Sequence, residues 1–273
     1  MDPDFNELAA RARNIRRRII TLTGTKGMGH TGGSLSMVEI LTVLYFHAMN
    51  VDPARPAWPE RDRFILSKGH ATPGYYSTLA ERGFFPEADL LAEYDEINGR
   101  FQGHPDRNKT PGVDMSSGSL GQGLSIGIGI ALGARRRGWP TTAYVLLGDG
   151  EMQEGQVWEA ILFAGARRVP GLVAIVDCNG LQLTAPTPAV IEMQPLAGRV
   201  AAFGWSTLEC DGHDPAALVA TLDEAKARAA AGPVFVVART IKGKGVSFIE
   251  NRVEWHSKAP SREEMARALQ ELE

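Results

Sequence analysis

The stretch AYVLLGDGEMQEGQVWEAILFAGARRVPGLVAIVDCNG, residues 143–180, decides the fold. Residues 143–147 are apolar throughout and stop at Gly148-Asp149-Gly150. Residues 172–176 (LVAIV) repeat the pattern and stop at Asp177-Cys178-Asn179-Gly180. Between them, residues 151–166 read as one helix with Trp158, Ile161, Leu162 and Gly165 on a stripe. Strands that are apolar on both faces and joined by helices belong to a parallel sheet buried on both sides. Residues 206–209 and 234–238 (VFVVA) read as two more strands, with helix 215–230 between them. The N-terminal third is mostly helical, over 6–23, 37–49 and 69–82. The expected fold class is therefore α/β: a mostly parallel sheet covered by helices on both faces, with a helical N-terminal third and right-handed crossovers. Turn-rich breaks fall at 52–59, 99–112 and 184–188, with no internal repeat.

Ligands of such sheets bind beyond the carboxyl ends of the strands. Asp149 ends one strand there and Asn179 ends the next. Asp149 offers a hard carboxylate oxygen and Asn179 an amide oxygen, and the carbonyl of Leu181 can add a third from the bend. Magnesium takes oxygen ligands and commonly shares its shell with phosphate. Backbone N–H groups at a helix start after Gly150 suit the same anion. Gly-Asp-Gly alone is an everyday turn, as is Asn-Gly. The two at the ends of consecutive strands, one helix apart, point instead to a cation holding a diphosphate.

The 273 residues carry a net charge of −3, with 44% apolar and 22% charged residues, so the balance gives no reason to expect nucleic acid or an anionic membrane surface. The basic run Arg11, Arg13, Arg16, Arg17, Arg18 alternates with Ile15, Ile19, Ile20 and Leu22 and reads as the solvated face of a helix. Cys178 and Cys210, the two cysteines, form no Cys-x-x-Cys pair and read as buried, reduced thiols. Residues 1–7 are acidic and lack an apolar stretch, and no apolar run approaches the ~18 residues of a membrane span. A cytoplasmic protein is expected.

Gly148-Asp149-Gly150 followed by Asn179 resembles the thiamin-diphosphate fingerprint, and the likeness runs through the chain in order. Gly29-His30-Thr31-Gly32-Gly33-Ser34 and the segment from Arg61 to His70 (RDRFILSKGH) resemble the first two histidine loops of transketolases. Gly103-His104-Pro105, with Ser117-Gly118-Ser119-Leu120-Gly121-Gln122-Gly123, resembles the third. Lys242-Gly243-Lys244-Gly245-Val246 and Trp255-His256 resemble the last element of the same domain. The resemblance implies one thiamin diphosphate-binding domain over 1–273, ending in a short helical tail, 260–273. It implies thiamin diphosphate and Mg2+ (or Ca2+ or Mn2+) as cofactors, with Asp149, Asn179 and Leu181 on the metal. His70, Gly118, Leu120, Gly150, Asn179 and His256 would contact the cofactor. His30, His70, His104 and His256 would be catalytic: His30 and His256 near the C3 hydroxyl of a ketose and the diphosphate, His70 and His104 near its C1 hydroxyl and carbonyl oxygen. Histidine suits such proton work because its ordinary pKa, ~6.5, lies near working pH.

The implied reaction moves a two-carbon ketol unit from a ketose, phosphorylated by expectation, to an aldose. Transketolases also carry a pyrimidine-binding domain, for which no second sheet remains here. A partner chain, the C-terminal transketolase subunit, is therefore expected, with two of each chain in the assembly and with sugar substrates but neither nucleic acid nor membrane. The α subunit of a 2-oxoacid dehydrogenase shares the fingerprint, but the histidine loops favour transketolase. A non-catalytic fold relative would lack a reason to keep every ligand. Gly121-Gln122-Gly123 and Gly127-Ile128-Gly129 do not complete Gly-x-Gly-x-x-Gly after a strand, so a dinucleotide site ranks below close helix packing.

Overall fold

A computed structural model of the chain describes residues 3–273; residues 1 and 2, part of the stretch read for a leader, lie outside it. Five parallel strands, β1 (Arg63–Leu66), β2 (Ala143–Gly148), β3 (Leu172–Cys178), β4 (Ser206–Asp211) and β5 (Val234–Arg239), form one sheet in the order β1-β2-β3-β5-β4. Helices α1 (Phe5–Lys26), α2 (Thr31–Ser36), α3 (Val38–Val43), α4 (Thr72–Arg82) and α5 (Glu87–Glu93) make up most of the N-terminal third. Then come α6 (Gln122–Arg136), α7 (Gly155–Ala166), α8 (Thr187–Val190), α9 (Leu196–Ala201), α10 (Pro215–Ala229) and α11 (Arg262–Glu271).

Strand residues alternate between two cores. Tyr144, Leu146, Val173, Ile175 and Val236 pack with α3, α4 and α10, while Val145, Leu147, Ala174, Val176 and Val237 pack with α6, α7 and α9. Both sides are buried, which is why the strands lack the polar alternation of a half-exposed sheet. Truncating one such side chain, Ile175→Ala for example, removes about 2–5 kcal/mol. A third cluster joins α1 to α11 through Ile15, Ile19, Trp255 and Ala268, so the two ends of the chain pack together.

Several sequence expectations change. Arg63–Leu66 is an edge strand paired with β2, not only part of a histidine loop. Helix α7 starts at Gly155, and a 3-10 turn, Glu151–Gln153, stands between it and Gly150. Leu162 is off the buried stripe, 56% exposed. Close packing holds for Gly123 and Gly127, where a Cβ would lie 2.4 Å from Ser67 Oγ and Val145 Cγ2, but not for Gly129, where it would meet nothing within 4 Å.

The basic face of α1 is solvated only in part: Arg13 is exposed, whereas Arg16, Arg17 and Arg18 are engaged by the protein. Arg17 Nη1 donates to Leu269 O of α11 at 3.0 Å, and Arg18 reaches Ser77 O, Glu81 and Glu87. Arg16 is buried and holds Glu39 by two contacts, 2.5 and 2.7 Å. His213 Nδ1 lies 2.9 Å from Glu39 Oε2, and its Nε2 accepts the Ile241 N–H at 2.7 Å, so the proton sits on Nδ1. The cysteines are free but half-buried rather than buried.

Burial alone would raise the Glu39 pKa, but Arg16 and His213 outweigh it and hold the carboxyl at about 2. A carboxyl whose folded pKa lies below its unfolded one stabilises the fold above the unfolded pKa and loses that contribution as pH falls through the folded one. Glu39→Gln should therefore cost about 3 kcal/mol above pH ~5, shrinking as pH falls toward ~2. Denaturant melts of both proteins across that range test it; a pH-independent difference would contradict it.

Candidate active site

The register of β2 on β3 pairs Gly148 with Asp177, so both strands end at one level. Asp149, 6% exposed, then faces the turn after β3: its Oδ2 accepts the Gly180 N–H at 2.7 Å and the Thr187 hydroxyl at 3.3 Å. Its Oδ1 accepts the Gly150 N–H at 3.0 Å. All three donors are neutral. Burial, then the neighbouring Asp177 carboxylate, push the Asp149 pKa up to about 6. A buried carboxylate with neutral donors only is costly until a cation joins it.

Asn179 precedes the Gly180 whose N–H reaches that carboxylate, and its side-chain Oδ1 accepts the Leu181 N–H at 3.1 Å. The Leu181 carbonyl accepts from Lys242 Nζ at 3.2 Å. Close to Gly150, the Gln182 Oε1 is buried without a hydrogen-bond partner. These oxygens, from a carboxylate, an amide and a carbonyl, match the hard-donor set of magnesium or calcium. Among the described residues, no three His, Cys, Asp or Glu side chains are grouped to hold a metal.

The turn between Gly150 and α7 departs from the sequence reading. Glu151 folds its carboxylate back onto Ser67 Oγ at 2.5 Å and the N–H groups of Gly121 and Gly148 at 2.9 and 3.0 Å. Burial raises its pKa. The Gly150 N–H is turned to Asp149, and no long helix begins beside it.

Four chain segments bring histidines to this end of the sheet. His30 caps α2, His70 follows the lysine after β1, and His256 ends a 3-10 turn, Val253–His256. The ring centroids of His30, His70 and His256 lie 4.8, 5.1 and 5.6 Å apart. His104 stands across a cavity of about 450 Å³ from His30, with Gly118 packed against its ring. Gly69 in turn is so close to Gly118 N that a Cβ would meet it at 2.7 Å. Leu120, in the turn before α6, is 37% exposed. All four histidines and the glycine turn expected from the sequence are thus at one end of the sheet.

Two lysines were missed. Lys242 is buried, with Nζ 2.8 Å from His256 Nδ1, and burial and then Lys68 push its pKa down to about 8. Lys244, in the same glycine loop, instead lies 3.8 Å from Glu250. Lys68 is buried on Asp177 and also donates to Gly33 O at 2.9 Å. Glycines flank both segments, so in sequence the lysines resemble solvated loop residues.

The histidines are not poised near neutrality as their ordinary pKa suggests. Burial and then Lys68 push His70 down to about 2, and burial and then Lys242 push His256 down to about 3. Burial and then His104 lower His30. All three rings are held neutral beneath a cationic pair. A base whose folded pKa is lowered destabilises the fold as pH falls below its unfolded value of ~6.5, because the unfolded chain takes the protons. In the cofactor-free chain, the imidazole NMR signals of His70 and His256 should not titrate between pH ~4.5 and ~8. Midpoints near pH ~6.5 for either would contradict this environment.

The family described as the transketolase, thiamine diphosphate binding domain matches residues 9–272. A 6-deoxy-6-sulfo-D-fructose transketolase subunit of Clostridium sp. is 42% identical over 98% of this chain and 96% of its own. An apulose-4-phosphate transketolase subunit of Actinobacillus succinogenes is 44% identical over the same shares. The transketolase structure from Leishmania mexicana superposes with a TM-score of 0.90 at 28% identity, over 97% of this chain and 41% of that one. The chain therefore spans about two fifths of that transketolase's length, and nearly all of the two subunits'. No helix among the described residues is long and apolar enough to cross a membrane. With the family match running over residues 9–272 and the fold shared with a solved transketolase, the chain belongs to the transketolase family, as its thiamine diphosphate binding domain.

Proposed function

We propose that residues 1–273 are the diphosphate-binding subunit of a cytoplasmic two-chain transketolase. It moves a two-carbon ketol unit from a ketose bearing a terminal anion, phosphate by preference, to an aldose. The observation that carries this reading is the buried Asp149 carboxylate, bonded to neutral donors only, on the Gly180 turn whose Leu181 carbonyl meets Lys242, itself against His256 of the histidine cluster.

Asp149 and Asn179, through side-chain oxygens, and Leu181, through its carbonyl, would hold Mg2+ (or Ca2+ or Mn2+). For Leu181 this means releasing Lys242, which then turns to the diphosphate. His70, Gly118, Leu120 and His256 would contact thiamin diphosphate, as would the Gly150 N–H once it leaves the Asp149 carboxylate. When bound, that cofactor supplies the carbon nucleophile and the electron sink that ketose cleavage requires.

The chain's own work is proton handling and orientation. His30 and His256 accept the C3-hydroxyl proton, and His70 and His104 bind the C1 hydroxyl and carbonyl oxygen. A neutral imidazole does both, as acceptor at one nitrogen and donor at the other. His256 is depressed by burial first and Lys242 second, so anionic charge entering beside that lysine raises its basicity.

A partner subunit supplies the pyrimidine-binding half, two of each chain per assembly. Ile126, Leu132, Leu162 and Phe163 of α6 and α7 are exposed and supply an apolar face for association.

Reconstitution tests the proposal. The purified chain by itself should give no ketol transfer, and adding the partner subunit should restore it; full activity of the lone chain, or turnover of a 2-oxoacid instead of a ketose, would refute it. In the reconstituted enzyme, Asp149→Ala should abolish Mg2+-dependent cofactor binding, and Lys242→Met should weaken it about 10-fold, the value of one charge-assisted hydrogen bond. Unchanged cofactor affinity in both variants would remove the site from where it is placed here.

A further inference from the structure

We propose that Asp177 is a positioning residue: it fixes which end of the Asn179 amide faces the cation. The inference rests on the reading of Asn179 as a cation ligand.

An amide side chain has an oxygen end and an amino end of nearly the same size, and only the oxygen binds a metal. Something must therefore choose its orientation. Asp177 is fully buried at the end of β3. It accepts from Lys68 Nζ after β1, from Ser36 Oγ of α2 at 2.5 Å, from Thr240 Oγ1 after β5 and from Asn179 Nδ2 at 3.3 Å. An ionised carboxylate has acceptors only, so the amide must turn its amino end toward it. Ser36 Oγ, 3.4 Å from the same Nδ2, is a second acceptor, its own proton being engaged by Asp177. The amide oxygen is left on the opposite side, toward the Leu181 N–H, in the turn that touches Asp149. A flipped amide would set oxygen against carboxylate oxygen. Lys68 balances the carboxylate charge, so Asp177 serves as an acceptor without a net buried charge.

The alternative is that Asp177 is only half of a structural ion pair with Lys68. Exchanging the two side chains separates the two roles, because a carboxylate at 179 has equivalent oxygens and no orientation to fix. Mg2+ affinity is measured on the enzyme reconstituted with its partner subunit, with thiamin diphosphate present, by calorimetry and by the Mg2+-dependent rise in Tm. Asp177→Asn should weaken Mg2+ binding about 10–100-fold, the usual effect of losing a group that orients a ligand. The double variant Asp177→Asn/Asn179→Asp should bind Mg2+ within about 3-fold of wild type or tighter, with Asn179→Asp alone calibrating the gain from added charge. A double variant as weak as Asp177→Asn, or an Asp177→Asn that binds like wild type, overturns the inference. If Asp177→Asn does not fold, the double variant is read against wild type by the same threshold. A reconstituted wild-type enzyme indifferent to Mg2+ would instead sink the cation reading beneath it.

Discussion

The pairing of Gly148 with Asp177 across two parallel strands is the constraint on which the site depends. Side chains in a strand alternate in direction, so a slip of one residue would exchange the two apolar cores as well as move the strand ends. Val145 and Val176 belong to the core under α6, α7 and α9, while Leu146 and Ile175 belong to the core under α3, α4 and α10. The register is therefore held by the burial of both cores together, which outweighs any single interaction at the strand ends. That burial brings Asp149 within hydrogen-bonding reach of Gly180 and leaves its carboxylate without a cation. Folding energy from the core offsets the cost of a functional carboxylate in a dry place.

That cost is balanced in layers. Lys68 answers Asp177, and Glu151 is satisfied by one hydroxyl and two backbone N–H groups. Lys242 has only a carbonyl and a neutral ring nitrogen as partners. An uncompensated anion and an under-partnered cation thus stand at the same strand ends. A cation at Asp149 and an anion at Lys242 are the additions that lower the energy of both. A metal-bridged diphosphate brings the two charges together, which is why this pattern favours it over either ion alone.

What the sequence disclosed follows the same division. The strands were legible because burial on both faces leaves an uninterrupted apolar run, and the strand-end residues stood out as polar exceptions. β1 was hidden: it is four residues long, at an edge, and begins with an arginine that pairs with Asp114. The start of α7 was read too early because helical periodicity does not reveal that the Glu151 side chain closes back on Ser67. The basic run on α1 looked solvated for a similar reason, since its partners, Glu39, Ser77 and Leu269, come from three distant segments. Asp177 passed as the polar end of an apolar strand, although four donors converge on it. In each case the missing information is a long-range polar contact, which has no period to betray it.

The histidines show how far the environment, rather than residue type, sets the chemistry. Segments that are distant in sequence place three imidazoles within 5.6 Å of one another, close enough that each ring contributes to drying its neighbours. Crowding and two lysines keep those rings neutral, so the free domain is a weak base. Negative charge entering beside Lys242 would remove one of the causes that lower His256, burial being the larger. On the proposed reading, the group that brings this charge is the cofactor, so proton acceptance is suppressed until the carbon nucleophile is in place. The same residue, His256, touches Lys242 and faces the other two rings, and it is therefore the point at which anion binding and proton acceptance are coupled.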